Sequence, residues 1–260
     1  MHIHHMAGHP IRAGTPPLPA SATSFTLNPG STTVIPLPAS WSGRVWAQTG
    51  CITGPTGNFS CATGATPPAT LAEFTLNGAN GLDFYDVSLV DGYNLPLLVR
   101  PVGGSGNCSS AGCAEDLNSA CPTQLRVVSS AYTAVTVDGP GVACKSACDA
   151  FGDPQYCCSG AYSTPQKCKP SSYSMYFKTA CPSAYSYAYD DASSTFTCAG
   201  ADYVITFCPS PTITGKSIGV QPPQTSAAPP DYSKSGRSLI PSLTIMYLLM
   251  MMVWTSFSLI

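Results

Sequence analysis

Thirteen cysteines, all between positions 51 and 208 of a 260-residue chain, constrain this fold more than any other feature. Thiols at that density are held either by a metal or by one another. The spacings Cys108-x4-Cys113, Cys144-x3-Cys148 and adjacent Cys157-Cys158 contain no paired C-x2-C knuckles. Disulfides formed in an oxidising compartment are therefore the stronger reading and zinc the weaker one. Neighbouring Cys157 and Cys158 would strain badly if bonded together, so each is expected to take a separate partner. No metal and no cofactor is expected.

The remaining composition narrows the class. The chain has 25 Pro and 23 Gly, and its Thr, Val, Tyr and Phe favour short strands over long helices. All four histidines, His2, His4, His5 and His9, lie within the first nine residues. That excludes Ser-His and Cys-His nucleophile systems from the body of the chain, so any hydrolysis there rests on carboxylates. The net charge is −2 and no Lys/Arg cluster exists, which argues against nucleic acid as a partner.

The densest chemistry lies in residues 66–96, which hold Glu73, Asp83, Asp86 and Asp91 with no Lys or Arg. Strands are expected at 70–76 and 82–90. Asp86 and Asp91 are five apart, so an ideal strand points them to opposite faces. They converge only if a bulge or turn intervenes, and Asp91-Gly92 supplies a turn signal. Arg44, in an alternating stretch at 44–48, is the nearby cation that could balance them. The alternative is that these carboxylates are turn formers and solvated sheet residues.

Elsewhere, strands are expected at 24–27 and 31–37 around the turn signal Asn28-Pro29-Gly30. Residues 108–181 form a cysteine-rich subdomain with short helices at 113–118, at 142–151 closed by Gly152, and at 171–180 capped by Ser171 or Ser172. Tyr185, Tyr187 and Tyr189 would share one strand face, ended by Asp190-Asp191, and 203–207 reads as a final strand. Asn58-Phe59-Ser60 is a glycosylation sequon, with Asn58 as acceptor.

Residues 1–12 have neither the apolar run nor the cleavage site of an export signal and are expected to be disordered. The natural N-terminus is thus expected to be missing or replaced. Residues 212–238 read as a Pro/Ser/Thr linker. Residues 239–260 are apolar and read as a GPI-attachment signal, with Ser226 in the triplet Ser226-Ala227-Ala228 as the attachment site and Ser233 or Ser235-Gly236 as alternatives. A membrane span is the alternative.

Several phrases carry a family resemblance. They include Trp41-Ser42-Gly43-Arg44-Val45-Trp46, Pro67-Pro68-Ala69-Thr70-Leu71-Ala72-Glu73-Phe74 and Asp83-Phe84-Tyr85-Asp86-Val87-Ser88-Leu89-Val90-Asp91-Gly92. Gln155-Tyr156-Cys157-Cys158-Ser159-Gly160, Cys181-Pro182-Ser183-Ala184-Tyr185-Ser186-Tyr187 and Tyr203-Val204-Ile205-Thr206-Phe207-Cys208-Pro209 continue it. Over residues 13–211 the chain resembles the thaumatin-like proteins of plants, pathogenesis-related family five. The resemblance implies a mainly β protein, a flattened β-sandwich beside a disulfide-rich subdomain with short helices. It implies an acidic cleft between the two, lined by Arg44, Glu73, Asp86, Asp91 and Asp190.

The same resemblance implies the bridges Cys51–Cys61, Cys108–Cys198, Cys113–Cys181, Cys121–Cys144, Cys148–Cys157 and Cys158–Cys168, with Cys208 left unpaired. The family's opening strand and first cysteine, which pairs with the last, are replaced here by residues 1–12. Two further cysteines after Cys61 are absent. Lower stability than that of full-length relatives is the expected consequence.

Functionally the resemblance implies a monomeric, extracellular or cell-surface defence protein that binds the β-1,3-glucan of fungal walls and is antifungal. Carboxylates and one Arg suit sugar hydroxyls, and Tyr93 or Tyr189 could stack on sugar faces. A weak endo-β-1,3-glucanase, with Glu73 as acid and Asp91 as nucleophile or base, is the enzymatic alternative. A non-catalytic adhesion or signalling protein is the third reading.

Overall fold

The fold is given by a computed structural model, which describes residues 6–7, 17–18, 25–128 and 141–209. All of them lie in the compact unit that ends at Pro211. The readings of a linker, an apolar tail and attachment at Ser226 lie outside the described residues. In chain order the strands are β1 (Met6–Ala7), β2 (Thr26–Leu27), β3 (Ser42–Trp46), β4 (Ile52–Thr53), β5 (Phe59–Ser60), β6 (Leu71–Thr75), β7 (Asp83–Ser88), β8 (Leu97–Ser105), β9 (Ala111–Cys113), β10 (Arg126–Val128), β11 (Gly141–Cys144) and β12 (Phe196–Phe207). The α-helices are α1 (Ala147–Phe151), α2 (Pro154–Cys157), α3 (Ser172–Ala180) and α4 (Asp191–Ser194).

The protein is mainly β, as its composition implies. The main sheet runs β3-β6-β7-β12-β8-β9, with every neighbour antiparallel. β12 is the element that makes two layers from one sheet. Its first residues, Phe196 to Cys198, pair with β7, and the rest pair with β8. The switch falls between Cys198 and Ala199, next to Gly200, which the ladder skips and whose φ of 63° is a conformation that a side chain disfavours. Strands that change layer in this way form the corners of sandwiches. Between the layers Tyr203 packs on Phe74 and Tyr85, with ring centroids 5.3 Å and 5.1 Å apart. The Tyr203 hydroxyl donates to Asp83 Oδ2 at 2.9 Å, which assigns that member of the acidic run to structure.

Period two decides what each strand contributes. Ala72, Phe74, Tyr85 and Val87 enter the core, so the alternating Glu73 and Asp86 project from the opposite face of the same strands. The cysteine-rich lobe covers part of that face. Tyr185 N donates to Val87 O and Leu89 N to Tyr185 O, at 2.8 and 2.9 Å, which ties the lobe to β7 and to the turn after it.

Six disulfides organise the lobe and its joints: Cys51–Cys61, Cys108–Cys198, Cys113–Cys181, Cys121–Cys144, Cys148–Cys157 and Cys158–Cys168. Cys157 and Cys158 take separate partners. Cys208 is free and half-buried, and burial pushes its thiol up to about 11.

Several local expectations change. Residues 31–37 form no strand, although the turn before them is present, with Ser31 N donating to Asn28 O at 3.0 Å. No helix forms at 113–118, because Ala111–Cys113 pairs with β8 instead. The stretch 142–151 divides into β11 and α1, with Ser146 Oγ accepting from Asp149 N as the N-cap and Gly152 closing α1 in the left-handed region. Ser171 caps α3 and forms a reciprocal capping box with Ser174. Tyr185, Tyr187 and Tyr189 share no strand; Tyr185 makes one parallel bridge to Ser88 and the others lie in an irregular segment before α4. Met6–Ala7 pairs with Thr26–Leu27, so these two residues of the 1–12 stretch take part in a two-stranded sheet.

Candidate functional site

The cross-strand register builds the site. Arg44 on β3 is opposite Glu73 on β6, and Glu73 is opposite Asp86 on β7. The three side chains therefore form one row across adjacent strands, which lie roughly 4.8 Å apart. Asp91 joins from outside the strand. The chain turns after Leu89, with Gly92 N donating to Leu89 O and Ala69 N donating to Asp91 O, both at 3.0 Å. The turn needs Gly92. Its φ is 87°, and an added Cβ would lie 2.8 Å from Cys144 O.

Arg44 is the hub. Its Nε is 2.6 Å from Glu73 Oε1, and its Nη1 is 3.9 Å from Asp91 Oδ2. The Arg44 and Glu73 side chains are 18% and 24% exposed, whereas Asp91 is 40% exposed. The cluster thus presents partly open carboxylates on a closed base. Burial opposes the Arg44 charge, but Glu73, Asp91 and Asp86 outweigh it and hold the guanidinium above its ordinary range.

Asp86 is the closed end of the row. It is 4% exposed, and its Oδ1 has no hydrogen-bond partner among the described residues. Burial pushes this carboxyl well above the ordinary range, the Glu73 charge adds to that, Arg44 opposes it and Asp191 adds again. A buried oxygen without a donor is tolerated far better in the neutral acid than in the anion. For Asp91, burial raises the carboxyl, Arg44 opposes, and Glu73 and Asp149 raise it further.

The raised Asp86 carboxyl makes stability depend on pH. The unfolded chain releases this proton near the ordinary value of 3.8, while the native state keeps it to higher pH. Stability from this group is therefore full below 3.8 and declines as pH rises toward the native value. The variant Asp86→Asn, which cannot ionise, is expected to melt higher than the parent at pH 7, with the gain closing toward pH 4. Thermal melts across that range check it, and a pH-independent difference would contradict it.

Asp190 does not join the row. Its Oδ2 is 3.0 Å from Lys178 Nζ and accepts from Ser186 N and Oγ, both at 3.0 Å. Asp190 holds the lobe segment to α3, and its neighbour Asp191 is the one whose charge acts on Asp86. Tyr93 is also reassigned. It is fully buried, with its hydroxyl donating to Glu115 O at 2.7 Å, so it cannot stack on a ligand. Tyr189 is half-buried near the surface. Asn58 is exposed in the β4–β5 hairpin. Asp149 and Lys145, 3.5 Å apart on the lobe, were not among the expected site residues. The charge of Asp149 on α1 acts on Asp91 and raises its carboxyl.

Residues 7–209 match the Thaumatin family. The chain belongs to that family. Thaumatin-like protein 1 of Arabidopsis thaliana is 55% identical over 208 residues, covering 72% of this chain and 76% of its own. Pathogenesis-related protein 5 of Arabidopsis thaliana is 55% identical over 195 residues, covering 71% and 78%. A protein named Glucan endo-1,3-beta-glucosidase from Prunus avium is 49% identical over 203 residues, covering 73% and 80%. The family match begins at residue 7, inside the stretch expected to lie outside the family pattern.

Proposed function

We propose that this thaumatin family protein binds β-1,3-glucan through the cleft at Arg44, Glu73 and Asp91, as a defence protein of the cell exterior acting on fungal walls. The observation that carries this reading is the Arg44 hub, which holds Glu73 and Asp91 partly open to solvent. A guanidinium supplies several donors and the carboxylates supply acceptors, a set that matches the alternating hydroxyls of a neutral sugar chain. The six disulfides fit an oxidising exterior. Retention on insoluble β-1,3-glucan tests it. The parent is expected to be retained, and Glu73→Gln with Asp91→Asn to lower retention roughly tenfold, since hydrogen bonds to charged groups are worth about 1.5–3 kcal/mol. Equal retention of parent and variant would remove the cleft from binding.

Endo-hydrolysis is a second reading, supported by the relative named Glucan endo-1,3-beta-glucosidase. In that reading the two roles exchange relative to the sequence expectation. Glu73 is committed as an ion-pair acceptor for Arg44 at 2.6 Å. Asp91, raised by burial, is the better proton donor. Asp91 would protonate the glycosidic oxygen while Glu73 acts on the opposite side, directly on the anomeric carbon or through a water. Reducing-sugar release from laminarin separates the readings. Hydrolysis by the parent that is lost in Asp91→Asn supports catalysis, and retention without release supports binding alone.

A further inference from the structure

The β4–β5 hairpin takes no part in the charged row. Its base is fixed twice. The Cys51–Cys61 bridge closes it, while Thr49 N donates to Thr63 O at 3.2 Å and Ala62 N to Thr49 O at 2.9 Å. Its tip turns at residues 54–57, where Gly57 N donates to Gly54 O at 2.9 Å. Past the buried Cys51 the hairpin stands in solvent, with residues 52, 53, 55–58 and 60 exposed. Ile52 is opposite Ser60 and Thr53 is opposite Phe59. Gly54 N donates to Asn58 O at 2.8 Å, which continues the ladder by one pair. Asn58, Ser60 and Ile52 therefore project from one face of the ribbon. Asn58 and Ile52 are diagonal neighbours on it, roughly 7–8 Å apart. Ile52 is 66% exposed, on a ribbon of two strands that pairs with no third among the described residues. An apolar side chain on such open edges invites pairing with another chain unless something covers it.

The chain holds two Asn-x-Ser sequons, and the structure treats them differently. In Asn58-Phe59-Ser60 neither the Asn58 amide nor the Ser60 hydroxyl makes a hydrogen bond among the described residues. In Asn107-Cys108-Ser109 every residue is committed. Cys108 is bridged to Cys198 in the core. Ser109 O accepts from the hydroxyl of the buried Tyr85. Ser109 Oγ donates to Asn107 Oδ1 at 3.2 Å, and Ser109 N donates to Asn107 O at 2.6 Å. A branched sugar on Asn107 would stand at the joint between β12 and the rest of the sheet. One on Asn58 would stand at the tip of an exposed hairpin. The six disulfides fit passage through an oxidising compartment, which is where such sugars are added.

We propose that Asn58 carries an N-linked glycan whose first sugar lies over Ile52 and shields the hairpin. The proposal is independent of the glucan reading. The donor is a lipid-diphosphate-linked oligosaccharide. A bond forms from the Asn58 side-chain nitrogen to the anomeric carbon as the bond from that carbon to the diphosphate oxygen breaks. The lipid diphosphate leaves, the amide gives up one proton, and nothing is oxidised or reduced. The C–H face of the first ring then covers the Ile52 side chain. The test passes the full chain, behind an added export leader, through the secretory pathway of cells whose N-glycans stay high in mannose. Glycopeptide mass spectrometry reads occupancy. One glycan is expected, lost in Asn58→Gln and in Ser60→Ala and kept in Asn107→Gln. An endoglycosidase that leaves only the first sugar then separates the cover from the bulk of the glycan. The trimmed protein is expected to melt roughly 2–4 °C above Asn58→Gln, and the gain is expected to vanish in an Ile52→Thr background. No glycan on Asn58, or one on Asn107 in its place, overturns the proposal. So does a trimmed protein that melts with Asn58→Gln, or a gain that Ile52→Thr leaves unchanged.

Discussion

Arg44→Met is expected to destabilise the domain by roughly 2–4 kcal/mol at pH 7, because removing one partner of a largely buried ion pair leaves the others uncompensated. Arg44 faces Glu73 at 2.6 Å and Asp91 at 3.9 Å, with Asp86 next in the row. No second cation is ion-paired to Glu73 or Asp91 among the described residues. Without the guanidinium, Asp91 loses the one charge that opposes its raised state. Its native pKa then rises further, and the added penalty grows with pH above the ordinary 3.8. The loss is therefore expected to be large at pH 7 and much smaller near pH 4.5. Urea denaturation at both values checks this. The double variant Arg44→Met, Glu73→Gln is expected to recover part of the loss, since it removes a carboxylate along with the cation. An equal loss at both pH values, with no recovery in the double variant, would mean that Arg44 contributes through packing of its stem alone.

Most of the layer architecture was legible because it depends on local rules. Alternation at 71–75 and 83–88 places Phe74 and Tyr85 in the core and Glu73 and Asp86 on the opposite face, with no tertiary knowledge required. The caps at Ser146 and Ser171 and the stop at Gly152 follow from side-chain chemistry within a few residues. The departures occur where a distant partner decides. Residues 111–113 pair with a strand that begins at Leu97, and that long-range ladder overrides a weak helical pattern. The tyrosines at 185, 187 and 189 alternate as a strand would, but residue 185 is taken by Val87 and Leu89 and the others have no ladder to join.

The site divides in the same way. The row Arg44, Glu73 and Asp86 is a matter of register, and the turn at Asp91-Gly92 resolves the odd spacing that would otherwise send Asp91 to the far face. Asp190 could not be placed from sequence, because its partner Lys178 lies on another helix. A choice between adjacent carboxylates, Asp190 and Asp191, is made by the lobe's tertiary packing. The burial of Tyr93 has the same origin, since the acceptor for its hydroxyl, Glu115 O, comes from the segment after β9.

Removal of the Cys113–Cys181 bridge, as Cys113→Ala with Cys181→Ala, is expected to cost about 4 kcal/mol on the loop-closure estimate, a large share of an ordinary domain's 5–15 kcal/mol. The bridge spans 68 residues of sequence and joins β9 to the residue after α3, with both sulfurs in the buried core. The Cys51–Cys61 bridge spans only 10 and closes the local β4–β5 hairpin. Its removal is expected to cost somewhat less than 3 kcal/mol on the same estimate. The difference should widen in practice, because the alanines at 113 and 181 also leave unfilled volume in a packed core. Function should separate the two further. Cys181 is followed by the segment that carries Ser186 and Tyr187, which face Val90 from the lobe. Loss of the long bridge is therefore expected to weaken glucan retention and open 182–190 to proteolysis, whereas loss of the short bridge leaves both unchanged. Denaturant melts and limited proteolysis of the two double variants under non-reducing conditions decide this. Equal losses would show that local strain or residual denatured structure, rather than the length of chain enclosed, sets what each crosslink contributes.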